Sequence, residues 1–236
     1  MPSLYPFSRR SFLHSSTAAI AIGQMPFAFQ AWSQPVPSLE TYEPQFFTAA
    51  EWAFILAATA RLIPSDGNGP GAIEARVPVF LDRQMAGAYG AAEDWYMQGP
   101  HDAAAAPQFG YQTPLAPAAI YRSGIKRFNS WCEATHGALF AGLSAADQDA
   151  ALTALENNSG TGGATILPPE EMDFFELLLQ NTREGYFADP KYGGNHEMAA
   201  WVHIGFPGAR ASFTEWVTQH DVPYPLGPVS ISGDRA

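Results

Sequence analysis

Signals that start and stop helices recur along this sequence, and they restrict the fold more than any other feature. Thr48 is followed three residues later by Glu51, the spacing of a capping box, and Pro64 ends the apolar run behind it. Ser144 and Asp147 repeat this pairing. No segment shows the sustained alternation of apolar and polar residues that marks a strand. The sequence therefore predicts an irregular all-α single domain of about five to seven helices, with Gly/Pro-rich loops and an extended C-terminal tail.

The charge of the chain excludes one class of partner. The 236 residues contain 12 lysines and arginines against 23 aspartates and glutamates, a net charge of −11. Arg9 and Arg10 precede the first acidic residue, Glu40, so residues 34–236 keep 12 − 2 = 10 basic and 23 acidic side chains, a net of −13. Such a surface repels phosphates, and no basic stripe interrupts it. We therefore expect no nucleic-acid partner.

The first 33 residues have the layout of an export signal. Arg9 and Arg10 are followed by Phe12 and Leu13 and then by an apolar, alanine-rich run that ends near residue 29. This order is typical of a twin-arginine signal, and the small residues at 31 and 33 predict cleavage before Gln34. The run is too short for a membrane span. We expect a signal at 1–33, a helical domain at 34–236 and a periplasmic location; the alternative is an apolar N-terminus with a chance arginine pair.

Motifs for chemistry are absent from the rest of the sequence. The G-x-G pattern at Gly67 and Gly69 follows a predicted helix rather than a strand, which argues against a dinucleotide fold. Asp66 and Asn68 have a calcium-like spacing, but the further oxygen ligands of an EF-hand are missing. Cys132 is the only cysteine, and its helical context predicts a small buried hydrophobe. The sequence therefore predicts no catalytic, cofactor-binding or metal-binding residue in this chain.

A second helix signal precedes that cysteine. Thr113 and Pro114 are expected to serve as the N-cap and first residue of a helix that continues to Cys132.

The segment DPKYGGNHEMAAWVHIGFPGAR, residues 189–210, is the most unusual stretch of the chain. It lacks the Lys-Ser/Thr of a phosphate-binding loop. His196 and His203 would lie about 10 Å apart along a helix, too far for one ion. A metal set of His196, Glu197 and Asp189 is an alternative that spacing alone does not support.

The same segment is rich in glycine and large aromatic residues, which are favoured at protein interfaces. The alternative is that these aromatics fill the chain's own core, against Leu179 and Phe187. Two other loops have related features: the loop around Asp66 and Asn68 is rich in turn residues, and the loop around Trp95 and Tyr96 contains two adjacent aromatics. The candidate interface residues are Asp66, Asn68, Trp95, Tyr96, Tyr192, Gly193, Gly194, Asn195, Trp201 and Phe206.

Three stretches together resemble one family: NTREGYFADPKYGGNHEMAAWVHIGFPGAR, RLIPSDGNGPGAIEARVPVFLDRQM with DWYMQGP, and GYQTPLAPAAIYRSGI. They are similar to the gluconate 2-dehydrogenase subunit 3 family, the small subunits of membrane-bound FAD-dependent dehydrogenases. The resemblance covers most of the chain after the signal. It gives no residue of this chain a catalytic role.

The resemblance implies a complex of three chains at the periplasmic side of the inner membrane. A large flavoprotein with FAD would oxidise D-gluconate to 2-dehydro-D-gluconate, and a cytochrome c subunit with haem c would pass electrons to quinone. The small subunit would stabilise the flavoprotein and carry it through the twin-arginine translocation machinery. A sibling complex that oxidises fructose, sorbitol or glucose is an alternative. Alternatives of another class are a stand-alone periplasmic metal enzyme and a ligand-binding module with the Gly-rich loops around its pocket.

Overall fold

Six α-helices and no β-strand make up the part of the chain that the structure, a computed structural model, describes: residues 38–102 and 104–236. The helices are α1 (Ala49–Leu62), α2 (Val77–Ala86), α3 (Pro117–His136), α4 (Ala145–Glu156), α5 (Phe174–Phe187) and α6 (Ala199–Ile204). Short 3-10 turns and loops connect them. The predicted all-α domain is confirmed. The predicted export signal, with Arg9, Arg10, Phe12 and Leu13, lies outside the described residues.

Local capping signals locate two of the helices correctly. The Thr48 amide donates to Glu51 Oε2 over 2.8 Å, and the Thr48 hydroxyl accepts from the Glu51 amide, so the capping box at the start of α1 is confirmed. Ser144 accepts from the Asp147 amide at the start of α4. These bonds satisfy backbone donors that the first turn of each helix leaves unpaired.

The predicted start of α3 is wrong. The helix begins at Pro117 with Ala116 as its N-cap, three residues later than expected. Thr113 is buried, and its hydroxyl donates to the Asp173 carboxylate, just before α5. A hydroxyl engaged with another element is not available to cap a local helix.

Buried aromatic rings form the centre of the core. The Phe54 ring of α1 lies 6.0 Å from Phe128 of α3, 5.1 Å from Phe140 and 6.0 Å from Phe174 of α5, and none of the four is exposed. Gly124 allows the Phe174 ring to lie close to α3, because a Cβ at position 124 would overlap that ring. Aromatic burial of this kind supplies much of a domain's stabilisation.

Cys132 belongs to the same core. It is fully buried, and burial raises the pKa of its thiol to about 12, so the predicted role as a buried hydrophobe is confirmed.

A buried carboxylate fixes the segment that leads into α1. Asp82 of α2 is 0% exposed, and its two oxygens accept four hydrogen bonds: from the Tyr42 hydroxyl and from the amides of Gln45, Phe46 and Phe47, over 2.7–3.0 Å. Burying a carboxylate is costly unless its oxygens are paired. We refer to Asp82 with residues 42–47 as the N-terminal clasp.

The C-terminal tail continues from α6 and then folds back onto the residues at its own start. Isolated bridges join Gly208 to Val229 and Val229 to Arg235, and Arg210 donates to the carbonyl of Gly227. The intervening chain contains one 3-10 turn, Thr214–Trp216. Among the described residues, no helix combines the length and apolar character needed to cross a membrane.

Candidate partner-binding surface

The glycine-rich segment after α5 folds back onto the helices instead of projecting from them. Asn195 is 0% exposed and adopts a left-handed backbone with φ of 44°. Its side-chain nitrogen donates to the Ala188 carbonyl over 2.9 Å, and its oxygen accepts from the Ala200 amide over 3.0 Å. The next amide, of His196, donates to the Ala75 carbonyl over 3.1 Å. One buried asparagine thus links the end of α5 to the start of α6.

The two preceding glycines permit close packing against α2 and α5. Gly193 has φ of 102°, and a Cβ there would lie 3.1 Å from both Val79 and the Arg83 side chain. A Cβ on Gly194 would overlap the backbone carbonyl oxygen of Gly185 in α5. At Gly194, where two backbones approach so closely, only a residue without a side chain fits, and the positive φ of Gly193 also favours glycine. Both glycines and Asn195 are buried, so their part in the predicted interface is to shape the segment.

The three aromatics of this segment divide between core and surface. Trp201 is 6% exposed, its indole nitrogen donates to the Phe187 carbonyl over 2.8 Å, and its ring lies 5.1 Å from Phe206. Tyr192 and Phe206 remain almost half exposed. The sequence left two uses open, interface or core, and the structure places Trp201 in the core and the other two aromatics at the surface.

The Asp66–Gly71 loop lies beside this segment, although more than 100 residues separate them in sequence. The Tyr186 hydroxyl donates to the Pro70 carbonyl over 2.6 Å. A Cβ on Gly69 would lie 2.7 Å from Nε2 of His203, so the histidine ring of α6 rests against the loop. Two of the three predicted interface regions therefore converge on one surface.

The charges in this loop fit that arrangement. The Asn68 amide donates to Asp66 over 2.9 Å, and this bond, followed by the Asn68 side chain and the nearby His203, lowers the pKa of the Asp66 carboxyl. Asp66 and Asn68 are both exposed. The loop therefore presents a stable negative charge at the edge of the surface.

The third predicted region has different neighbours. The Trp95 ring packs at 5.6 Å against Tyr89 and at 4.8 Å against Tyr111, and it is partly buried. Tyr96, directly after it, is 83% exposed. The ring contacts of Trp95 thus associate this pair with the loop before α3 rather than with the segment after α5.

The residues of the alternative metal site, Asp189, His196 and Glu197, make other contacts. The Asp189 carboxylate accepts from the amides of Lys191 and Ile231, over 3.1 and 2.6 Å. His196 lies 3.7 Å from Glu197, and its pKa is lowered, first by burial and then by the positive charge of Arg76. Across residues 38–102 and 104–236, no group of three or more His, Cys, Asp or Glu side chains is placed to hold a metal ion.

Sequence reasoning missed several exposed apolar residues in and beside the segment after α5. Val202 and Ile204 of α6 are 55% and 54% exposed, and Phe187 and Ile231 are also exposed. The signal available in the sequence was the apolar pair on either side of His203, directly before Gly205. Sequence reasoning also missed the buried Asp82. Its partners are distant in sequence, and no neighbouring residue indicates that an aspartate within an apolar helix will bind them.

Comparison with family models gives one finding. The model described as Gluconate 2-dehydrogenase subunit 3 matches residues 49–208, from the first residue of α1 to beyond α6. Searches of curated proteins and of solved structures return no match. The candidate surface built from the Asp66–Gly71 loop and the segment after α5 lies almost entirely within the matched residues.

Proposed function

Because the chain belongs to the gluconate 2-dehydrogenase subunit 3 family, we propose that it is the accessory small subunit of an FAD-dependent gluconate 2-dehydrogenase. Membership of a family of subunits implies that the chain works with other subunits. The complex would oxidise D-gluconate to 2-dehydro-D-gluconate. The observation that carries this proposal is the extent of the family match, which spans all six helices.

In this proposal the oxidation takes place on the partner chains. The large subunit would hold FAD and remove two electrons and two protons from gluconate. A cytochrome c subunit with haem c would then carry the electrons to quinone. The geometry of the present chain suits a supporting role: its Gly67–Gly69 loop follows helix α1 rather than a strand, and its Cys132 thiol is buried with a raised pKa.

The contribution of the small subunit would be to stability and transport. A chain that binds only the folded flavoprotein stabilises it by RT ln(1 + [L]/Kd), where [L] is the concentration of free small subunit. This amounts to about 2.7 kcal/mol when [L] is about one hundred times Kd. We further propose that the arginine pair of residues 9–10 directs the folded assembly through the twin-arginine translocation machinery to the periplasmic side of the inner membrane.

The substrate is the least constrained part of this proposal. Fructose, sorbitol or glucose could replace gluconate in a sibling complex, because the flavoprotein would determine substrate choice. The family description favours gluconate.

The experiment is an affinity purification of the tagged full-length chain from the native host, with an absorption spectrum of the eluate. We expect a stoichiometric flavoprotein with a flavin band, and gluconate-dependent reduction of an electron acceptor. Arg9→Lys/Arg10→Lys should leave the complex in the cytoplasm. Arg183→Lys is a matched change at an exposed arginine of α5, and it should not retain the complex in the cytoplasm. A colourless chain recovered without a flavoprotein would refute the proposal.

A further inference from the structure

Exposed apolar side chains are concentrated in one stretch of the sequence. The described residues include fourteen large apolar side chains that are exposed, and ten of them lie between residues 187 and 231. The ten are Phe187, Tyr192, Val202, Ile204, Phe206, Phe213, Val217, Val222, Leu226 and Ile231. Concentrations of this kind on a folded chain mark surfaces that another molecule covers.

Six of these residues are attached to two anchors, Trp201 and Asp189. The indole of Trp201 bonds to the backbone of Phe187, its ring contacts Phe206, and Val202 and Ile204 follow it in α6. The Asp189 carboxylate bonds to the amide of Ile231 and begins the 3-10 turn that ends at Tyr192. We call Phe187, Tyr192, Val202, Ile204, Phe206 and Ile231 the apolar ridge.

The backbone that presents the ridge is held in an uncommon conformation. Asn195, Glu197 and Met198 all have positive φ, at 44°, 55° and 55°, and all three lie within the four residues before α6. Such angles cost a residue other than glycine about 1 kcal/mol or more each, and they persist where the surrounding structure enforces them. Buried contacts of Asn195 and Trp201 enforce them here, so that Val202 and Ile204 are carried outward at fixed positions.

Acidic side chains dominate the edge of the ridge. Glu197 has a side chain that is 82% exposed, and Asp66 and Glu74 are exposed beside Tyr186. On the same side, Lys191 lies over the Tyr192 ring at 4.6 Å, and His203 lies against Gly69.

Basic groups beneath the ridge are less exposed. Arg76 and Arg83 are partly buried, the first near His196 and the second under Gly193. The exposed rim is therefore predominantly negative. It complements a protein surface with lysine or arginine around an apolar centre, and it opposes contact with an anionic membrane.

We propose that the apolar ridge, with the Asp66–Gly71 loop at its edge, is the surface that docks onto the large flavoprotein subunit. The proposal rests on the function proposed above and adds its location: the contact is made by α6 and its flanks rather than by the Trp95–Tyr96 region. The facing surface of the flavoprotein is apolar at its centre and basic at its rim.

The test compares two sets of substitutions in the full-length complex. Val202→Lys/Ile204→Lys places positive charge in the ridge, and lysine near the C-terminal end of α6 agrees with the helix dipole. Phe109→Lys places one positive charge on an apolar residue that is 73% exposed, in the loop that precedes α3 and contains Tyr111. We expect the ridge variant to lower recovery of the flavoprotein at least about tenfold in size-exclusion chromatography, and Phe109→Lys to leave it unchanged.

The outcomes separate the inference from the proposed function. Recovery of flavoprotein by the wild type and equally by the ridge variant would overturn the docking surface and leave the function intact. Loss of flavoprotein by Phe109→Lys alone would place the interface at the loop before α3. Absence of a flavoprotein with the wild type would refute the proposed function itself.

A vesicle experiment tests whether a membrane, instead of the flavoprotein, covers the apolar ridge. The purified chain is mixed with vesicles of phosphatidylcholine and phosphatidylglycerol and separated by flotation. We expect the chain to remain at the bottom of the gradient. Flotation of the wild type that is lost in Val202→Ser/Ile204→Ser would assign the ridge to a lipid surface and overturn the proposal.

Discussion

Aromatic residues of the helical core and those after residue 187 differ in what covers them. Phe54, Phe128 and Phe174 have no exposed surface and pack against one another across α1, α3 and α5. Phe206 and Phe213 remain 45% and 39% exposed. The chain thus completes its own core with one set of aromatics and leaves the other set partly uncovered.

The polar contacts of the two regions differ in the same way. Asp82 in the N-terminal clasp is fully buried with four bonds from one short segment. Asp189, at the base of the apolar ridge, is only partly buried and accepts two bonds, from the amides of Lys191 and Ile231. The comparison indicates that the core is complete in the isolated chain, whereas the region after residue 187 is folded but leaves part of its apolar surface uncovered. Four variants, three of them with a matched control, test it.

The largest effect is expected in the core. Phe54→Ala removes a ring packed against three others and should lower the free energy of unfolding by about 3–5 kcal/mol. Phe206→Ala, a matched truncation at the ridge, should cost about 1 kcal/mol or less, because nearly half of that side chain is already in water. Urea denaturation of both purified variants measures the difference. Equal losses would contradict the division between the two regions.

Asp82→Asn should have the next largest effect. The amide keeps the size of the carboxylate but lacks its charge and one of its acceptor oxygens, so buried donors of residues 42–47 lose partners. We expect a loss of about 2–3 kcal/mol, with faster hydrogen exchange at Gln45, Phe46 and Phe47. Unchanged exchange at these three amides would show that the clasp is not held by Asp82. Asp189→Asn is the matched change outside the core.

Gly194→Ala should destabilise the chain by about 1–3 kcal/mol, because the added methyl overlaps the Gly185 carbonyl and forces the segment away from α5. Gly142→Ala is the control, since its Cβ would meet its nearest neighbour at 3.8 Å, an ordinary contact. Thermal denaturation compares the two variants. A neutral Gly194→Ala would mean that the segment after α5 is not tightly seated.

The smallest effect on the isolated chain is expected from Val202→Lys/Ile204→Lys. Both residues are more than half exposed, so the free energy of unfolding should change by no more than about 0.5 kcal/mol. Differential scanning calorimetry of the chain without its partners measures it. A loss comparable to that of Phe54→Ala would indicate that the ridge is part of the chain's own core.

Local signals in the sequence predicted the parts of this fold that depend on neighbouring residues. The Thr48–Glu51 box forms within four residues, and the sequence located it. The Asp82 clasp joins residues 35–40 positions apart, so no short pattern announces it. Thr113 failed as a cap for the same reason, because its partner Asp173 is 60 residues away.

The candidate surface was predicted in part. Glycines and aromatics identified the segment at residues 189–210 as special, and three of its aromatics were named. Which of them would be exposed depends on what lies opposite, and that is decided by Gly185 and Gly194 allowing the segment onto α5. Sequence composition therefore identified the segment that forms the candidate surface. It could not predict that Trp201 is buried whereas Tyr192 and Phe206 are exposed.

The N-terminal clasp also has a mechanical meaning. Any machinery that pulls on the chain from its N-terminus applies its force to residues 42–47 before that force reaches α1. Four hydrogen bonds converge on the single carboxylate of Asp82, so these bonds oppose the pull on residues 42–47. Because Asp82 belongs to α2, traction on the residues in front of the clasp is passed to α2 through these bonds before it reaches α1.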